Sequence, residues 1–216
     1  MPTGPYKVRI TYIDDWCEDS RRLGESMEFR LTYEGELLGA GNNNNRSKHK
    51  HEIRLVFHPQ LKRLWETYSP FQNWGSDEGE HIVKTLGIQF ERCGCKLIPL
   101  VTERFSLVVD INILLLRPGT PGSVVQSGDL DNRIKTLSDA LRIPSNREEF
   151  GGYDPEKESP LYCLLEDDKM ISRLTVETDS LLNPLPGSDI IRNNDVRLII
   201  TVVLSPYHKT YENSRF

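Results

Sequence analysis

The stretch Arg104-Phe105-Ser106-Leu107-Val108-Val109-Asp110-Ile111-Asn112-Ile113-Leu114-Leu115-Leu116 decides the fold. Phe105, Leu107, Val109, Ile111, Ile113 and Leu115 recur at every second position, the period of a strand with one buried face. From Leu114 onward apolar residues creep onto the other face too, which places this strand in the middle of a sheet.

Working outward, residues 27–33 alternate apolar and polar as a half-buried strand does, and 171–177 and 196–205 supply two further strands. Pro59 is suited to open a helix, because its missing N–H costs nothing in a first turn, and Leu61, Leu64, Trp65 and Tyr68 then follow at helical spacing. A second helix is expected over 77–93 and a third after residue 131, with Ile134, Leu137 and Leu141 on one face. Residues 39–45, with four consecutive Asn, and residues 118–127, 144–160 and 183–195 are rich in Gly, Pro and polar side chains and read as loops. The expectation is an α+β domain with a mixed β-sheet and helices packed mainly on one face. It spans 27–205 with an insertion at 144–160, an N-terminal extension at 1–26 and a tail at 206–216.

Composition narrows the function classes. No apolar run has the length of a membrane span, and the N-terminus shows no secretory signal, so a cytoplasmic location without a membrane partner is expected. The four cysteines are scattered apart from Cys93-Gly94-Cys95, which fits free thiols and no common zinc module. Twenty-seven Lys and Arg against 32 Asp and Glu give a net charge of −5, so any attraction to nucleic acid must be local. One stretch qualifies, with Arg46, Lys48, Lys50, Arg54, Lys62 and Arg63 between residues 46 and 63 and a single acid, Glu52.

The chemistry is concentrated in Gly128-Asp129-Leu130-Asp131-Asn132-Arg133-Ile134-Lys135-Thr136-Leu137-Ser138-Asp139-Ala140-Leu141. In an extended segment, Asp129 and Asp131 at i and i+2 point to one side, as two carboxylates must to share a hard cation such as Mg2+. Asp131 is also placed to cap the helix that follows, and Lys135 lies one turn on, on the side of the acids. Downstream, Glu166-Asp167-Asp168 precedes a strand and offers another carboxylate. Alone, a D-x-D pair is usually a helix cap beside a solvated acid, an acidic triplet an exposed turn, and a basic run a solvated face. It is their joint occurrence that points to metal-assisted phosphodiester hydrolysis.

Asp-Leu-Asp-Asn, Lys135 three residues after Asn132, Asp139-Ala140-Leu141, and a later Asp-Asp before a strand resemble the signature of the RusA family of Holliday-junction resolvases. The resemblance runs over about 27–205, and its specific part is the two acidic motifs. It implies an endonuclease that resolves four-way DNA junctions in recombination and repair. Asp129, Asp131 and Asp168 would be the ligands of Mg2+, with Mn2+ as a substitute, and Lys135 the catalytic cation beside them. Asp139 would be the ion-pair partner of Lys135. The resemblance further implies a homodimer acting on branched DNA, with the segment containing Arg46, Lys48 and Lys50 approaching the phosphates. The alternatives are a RusA-like nuclease of a phage, mobile element or defence system acting on another nucleic acid, and a branched-DNA-binding protein without turnover.

Overall fold

The alternating stretch forms β4 (Leu107–Arg117), and Leu107, Val109, Ile111, Ile113 and Leu115 are all buried. The computed structural model describes residues 9–11, 26–39, 44–67, 78–119, 129–210 and 213. Around β4 lie β1 (Arg9–Thr11), β2 (Ser26–Glu36), β6 (Ile171–Ser180) and β7 (Asp195–Pro206), in the sheet order β1-β2-β7-β4-β6. β4 is interior, paired antiparallel with β7 and parallel with β6, so the sheet is mixed. Among the described residues three helices complete the α+β fold: α1 (Asn44–Thr67), α2 (Glu78–Gln89) and α3 (Asp129–Leu141).

Register explains why the sheet holds. Ile200 of β7 sits between Leu31 of β2 and Ile113 of β4, and Val202 between Phe29 and Ile111. Period-2 apolar residues from three strands thus form one continuous face, each fully buried side chain stabilising by about 1.5–3 kcal/mol. The helices bury their own stripes in the same cluster, through Ile53, Phe57, Leu61 and Leu64 of α1, Leu86 of α2, and Leu137, Ala140 and Leu141 of α3. On the opposite face Arg30, Thr32, Glu34 and Asn112 are exposed.

Several expectations are corrected. Helix α1 does not begin at Pro59 but runs through it from Asn44. Burial of its long apolar stripe outweighs the cost of an interior proline, about 3 kcal/mol. Gln60 adds a tie, accepting from the Thr32 N–H at 2.9 Å and donating to the Thr32 carbonyl at 2.8 Å. Helix α2 stops at Gln89, short of 93, because the chain reverses through Cys93 (φ 54°) and Gly94 (φ 82°) in a turn closed by Arg92 and Cys95.

A parallel pair, β3 (Leu97–Val101) and β5 (Leu161–Leu165), was not anticipated. Both strands are buried along their whole length, so neither shows the alternation by which the other strands are recognised. Residues 9–11 of the extension pair with β2 as a short edge strand. Most of the rest of the extension, residues 40–43 of the Asn-rich loop, residues 120–128, the aromatics Tyr68, Phe71 and Trp74, and most of the tail beyond 210 lie outside the described residues. No helix among the described residues is long and apolar enough to cross a membrane.

Candidate functional site

Helix α3 opens at Asp129, and Asp131 is therefore inside its first turn, not its cap. Acids in a first turn are favoured by the positive end of the helix dipole, which lets the helix extend back through the motif. The consequence for the acid pair is geometric. Residues two apart on a helix are about 200° apart around its axis, whereas on a strand they share a face. The side chain of Asp129 is outside the described residues; Asp131, Asn132 and Lys135 are exposed, with Asp131 and Lys135 one turn apart on the same side. The other side of the helix is buried through Arg133, Thr136, Leu137, Ala140 and Leu141, and Arg133 donates to Asn194 at 3.1 Å just ahead of β7.

Asp168 opens a 3-10 turn, Asp168–Met170, and is exposed. Asp167 caps that turn by accepting the Lys169 N–H at 3.0 Å, a bond that holds its carboxyl below the usual range. This acid pair belongs to the far end of α3. The Ile143 N–H donates to the Leu165 carbonyl at 2.9 Å, and the charge of Asp168 is felt by Arg142. Burial opposes the Arg142 charge, but the hydrogen bonds and charge of Glu149, then Asp139 and Asp168, outweigh it and raise its pKa. From Asp131 to Leu141, its last residue, α3 rises about 15 Å. The structure therefore brings Asp131 together with Lys135 but not with Asp168. Among the described residues no three His, Cys, Asp or Glu side chains are grouped to hold one metal ion.

Asp139 is not the partner of Lys135. It accepts from Lys50 of α1 at 2.6 Å and lies 3.6 Å from Arg142, because α1 packs across α3 on this side while Lys135 points to solvent. The basic segment is likewise altered. Arg46, Lys48 and Lys50 stand on the first turns of a helix, Lys50 is mostly covered, and Arg46 is half-buried. Lys48 is exposed, with a loose contact to Glu52 at 3.8 Å.

Sequence reading missed a densely bonded cluster where α1 meets the end of α3. Arg54 is fully enclosed and donates to the carbonyls of Arg142 (3.0 Å), Asp139 (2.9 Å) and Glu149 (3.3 Å), with His51 Nδ1 at 3.0 Å. Glu149 grips Arg142 through two bonds of 3.0 and 2.8 Å. A cavity of about 250 Å3 lies between these groups, lined by Ser47, Lys50, Asp139, Arg142, Asn146 and Glu148 among others. The available signal was an arginine and a histidine three residues apart on the inner stripe of an amphipathic helix.

The charged form of the three histidines of α1 is disfavoured. His49 Nε2 accepts from the Leu38 N–H at 3.2 Å, His58 Nδ1 from the Tyr162 N–H at 3.0 Å, and His51 faces the Arg54 guanidinium. Burial lowers the pKa of all three, and for His51, with Arg54 adding to the effect, to about 4. In the unfolded chain these rings take up a proton near pH 6.5, so below that pH unfolding binds protons and stability falls as pH falls, for His51 down to about pH 4. Urea unfolding should show a loss of roughly 3 kcal/mol from His51 alone across that window. A flat profile between pH 6.5 and 4.5 would overturn the assignment of neutral, buried rings.

No family model, curated protein or solved structure matches the chain.

Proposed function

We propose that the chain is a cytoplasmic, magnesium-dependent endonuclease that hydrolyses phosphodiesters in branched DNA, a four-way junction foremost, with its centre on the first turns of α3. The reading takes the fold as RusA-like, with its helices mainly on one face of the sheet, and the working unit as a homodimer. The observation that carries it is the exposure of Asp131, Asn132 and Lys135 on an α3 whose opposite side is fixed in the core. A polar motif held outward on a rigid helix is what a surface phosphate chain can reach.

At the start of α3 Asp131 offers carboxylate oxygens and Asn132 an amide oxygen, donors of the kind a hard cation takes, and the reading does not require Asp129 on the same side of the helix. Bound there, Mg2+ or Mn2+ would polarise the scissile phosphate and generate the attacking hydroxide near neutral pH. Asp131 supplies a carboxylate to that end, and Lys135, one turn on, offsets the negative charge that grows on the phosphate oxygens. Lys48 contributes attraction to the DNA backbone, while Lys50 is engaged with Asp139. Asp168 is given no step, since its charge acts on Arg142 and the strand before it meets the chain just past the C-terminal end of α3.

That placement favours a second reading, a branched-DNA-binding protein without turnover. Cleavage of a labelled four-way junction, with magnesium and with EDTA, separates the two. Wild type should give paired symmetric nicks that need magnesium, and Asp131→Asn should lower the rate about 100-fold or more while leaving binding intact. Junction binding that persists in EDTA with no cutting by any metal supports the second reading. Cutting confined to flaps, duplex or RNA keeps the centre and changes the substrate, as a phage or defence nuclease would require. Undiminished cutting by Asp131→Asn removes the site.

A further inference from the structure

β6 ends the sheet, and among the described residues no strand pairs with its outer edge. That edge is ten residues long, Ile171-Ser172-Arg173-Leu174-Thr175-Val176-Glu177-Thr178-Asp179-Ser180, and carries no Pro; its three charges, Arg173, Glu177 and Asp179, are of both signs and can pair with those of a second copy. The apolar face of the sheet also loses its cover here. Leu174 is in register with Ile111, yet Ile111 is 1% exposed and Leu174 41%. Val176, two residues on, is only partly buried.

We infer that a second copy of the chain completes this margin, its β6 pairing antiparallel with the first about a two-fold axis through Thr175. The pattern of residues selects both the occupant and the register. Directly opposed residues in an antiparallel pair lie on the same face of the sheet, so a symmetric pairing must centre on a single residue. Centring on Thr175 sets Leu174 against Val176 of the other copy and Arg173 against its Glu177, and symmetry makes each pair twice. Centring on Leu174 leaves one apolar pair, Leu174 with itself, and sets Arg173 against Thr175; centring on Val176 leaves Val176 with itself, opposes Leu174 to Thr178 and sets Arg173 against Asp179, so only the Thr175 centre makes two apolar pairs together with two pairs of opposite charge. Opposite charges and apolar side chains directly across a ladder each stabilise it by about 0.2–1 kcal/mol. Arg173 lies 3.5 Å from Asp110 of β4 and is still 72% exposed, which leaves its guanidinium free to take a second carboxylate.

An axis through paired edges, perpendicular to the sheet, keeps the like faces of both copies on one side. The two α3 helices, which share the buried cluster of that face, would then present their motifs in the same direction. The interface does not rest on the nuclease reading, and association rather than cutting tests it.

Sedimentation equilibrium of the full chain over a concentration series is the measurement. Wild type should dimerise; Arg173→Glu and Glu177→Arg should each weaken the dimer about tenfold or more by opposing like charges twice. The double variant R173E/E177R, in which the charges are exchanged across the axis, should restore wild-type association. Glu177→Arg leaves the Asp110 contact untouched, so its result stands even if Arg173→Glu disturbs the fold, which circular dichroism would reveal. A chain that stays monomeric up to about 100 µM, a dimer indifferent to Glu177→Arg, or a double variant no better than Glu177→Arg overturns the inference.

Discussion

Arg54→Ala should lower the free energy of unfolding by about 3–5 kcal/mol, a large share of what holds a domain of this kind together. The side chain is 2% exposed and spans three carbonyls from two separate segments. Asp139 contributes one of the last carbonyls of α3, which no N–H of the helix itself can satisfy, and Arg142 and Glu149 lie in the chain that leaves it. A guanidinium here pairs with the negative end of the helix dipole and joins α3, α1 and the 3-10 turn Arg147–Phe150 at one point. Truncation strands buried acceptors at about 1–3 kcal/mol each and leaves a void. Arg54→Lys should recover little, because one ammonium cannot reproduce the planar fork that reaches all three oxygens. Urea unfolding monitored by circular dichroism measures the loss; a change below about 1 kcal/mol would mean that water replaces the arginine and that the clamp is incidental.

Phe150→Ala is expected to cost about 3–5 kcal/mol as well. The sequence places Phe150 in what reads as an acidic insertion, where a substitution ought to be nearly silent. In the fold it is 0% exposed, its ring 5.3 Å from that of His51. The next residue, Gly151, turns with φ 62°, and a Cβ there would lie 2.3 Å from the Cα of Lys48, so the segment is pressed against α1 with no room for a side chain. Glu148→Ala, on the exposed side of the same turn, is the control and should stay within about 0.5 kcal/mol. If Phe150→Ala unfolds like wild type, the segment is an appendage after all.

The two cases show where a sequence is readable. Strands that bury one face announce themselves, and β2, β4, β6 and β7 lie where alternation puts them. β3 and β5 bury both faces, lose the alternation, and resemble any short apolar run. Pro59 misled in another way, because a local preference for the first turn of a helix was overridden by an apolar stripe that continues on both sides of it. The acidic motif was visible as a set of residue types. Its arrangement was not, because the argument for two carboxylates on one side assumed an extended backbone that the helix does not have.

By itself the sequence determined the α+β class, the central strand, the exposed polar motif at the start of a helix and the absence of bulk positive charge. These follow from period, residue type and composition, which are local or additive properties. Only the tertiary structure decided that Asp139 pairs with Lys50, that Arg54 clamps the end of α3, that the 144–160 segment carries a core phenylalanine, and that the strand leading to Asp168 meets the chain at the C-terminal end of α3 and not at Asp131. Each depends on which elements pack together. That choice is made by the summed burial of many side chains distant in sequence, and no short motif carries it.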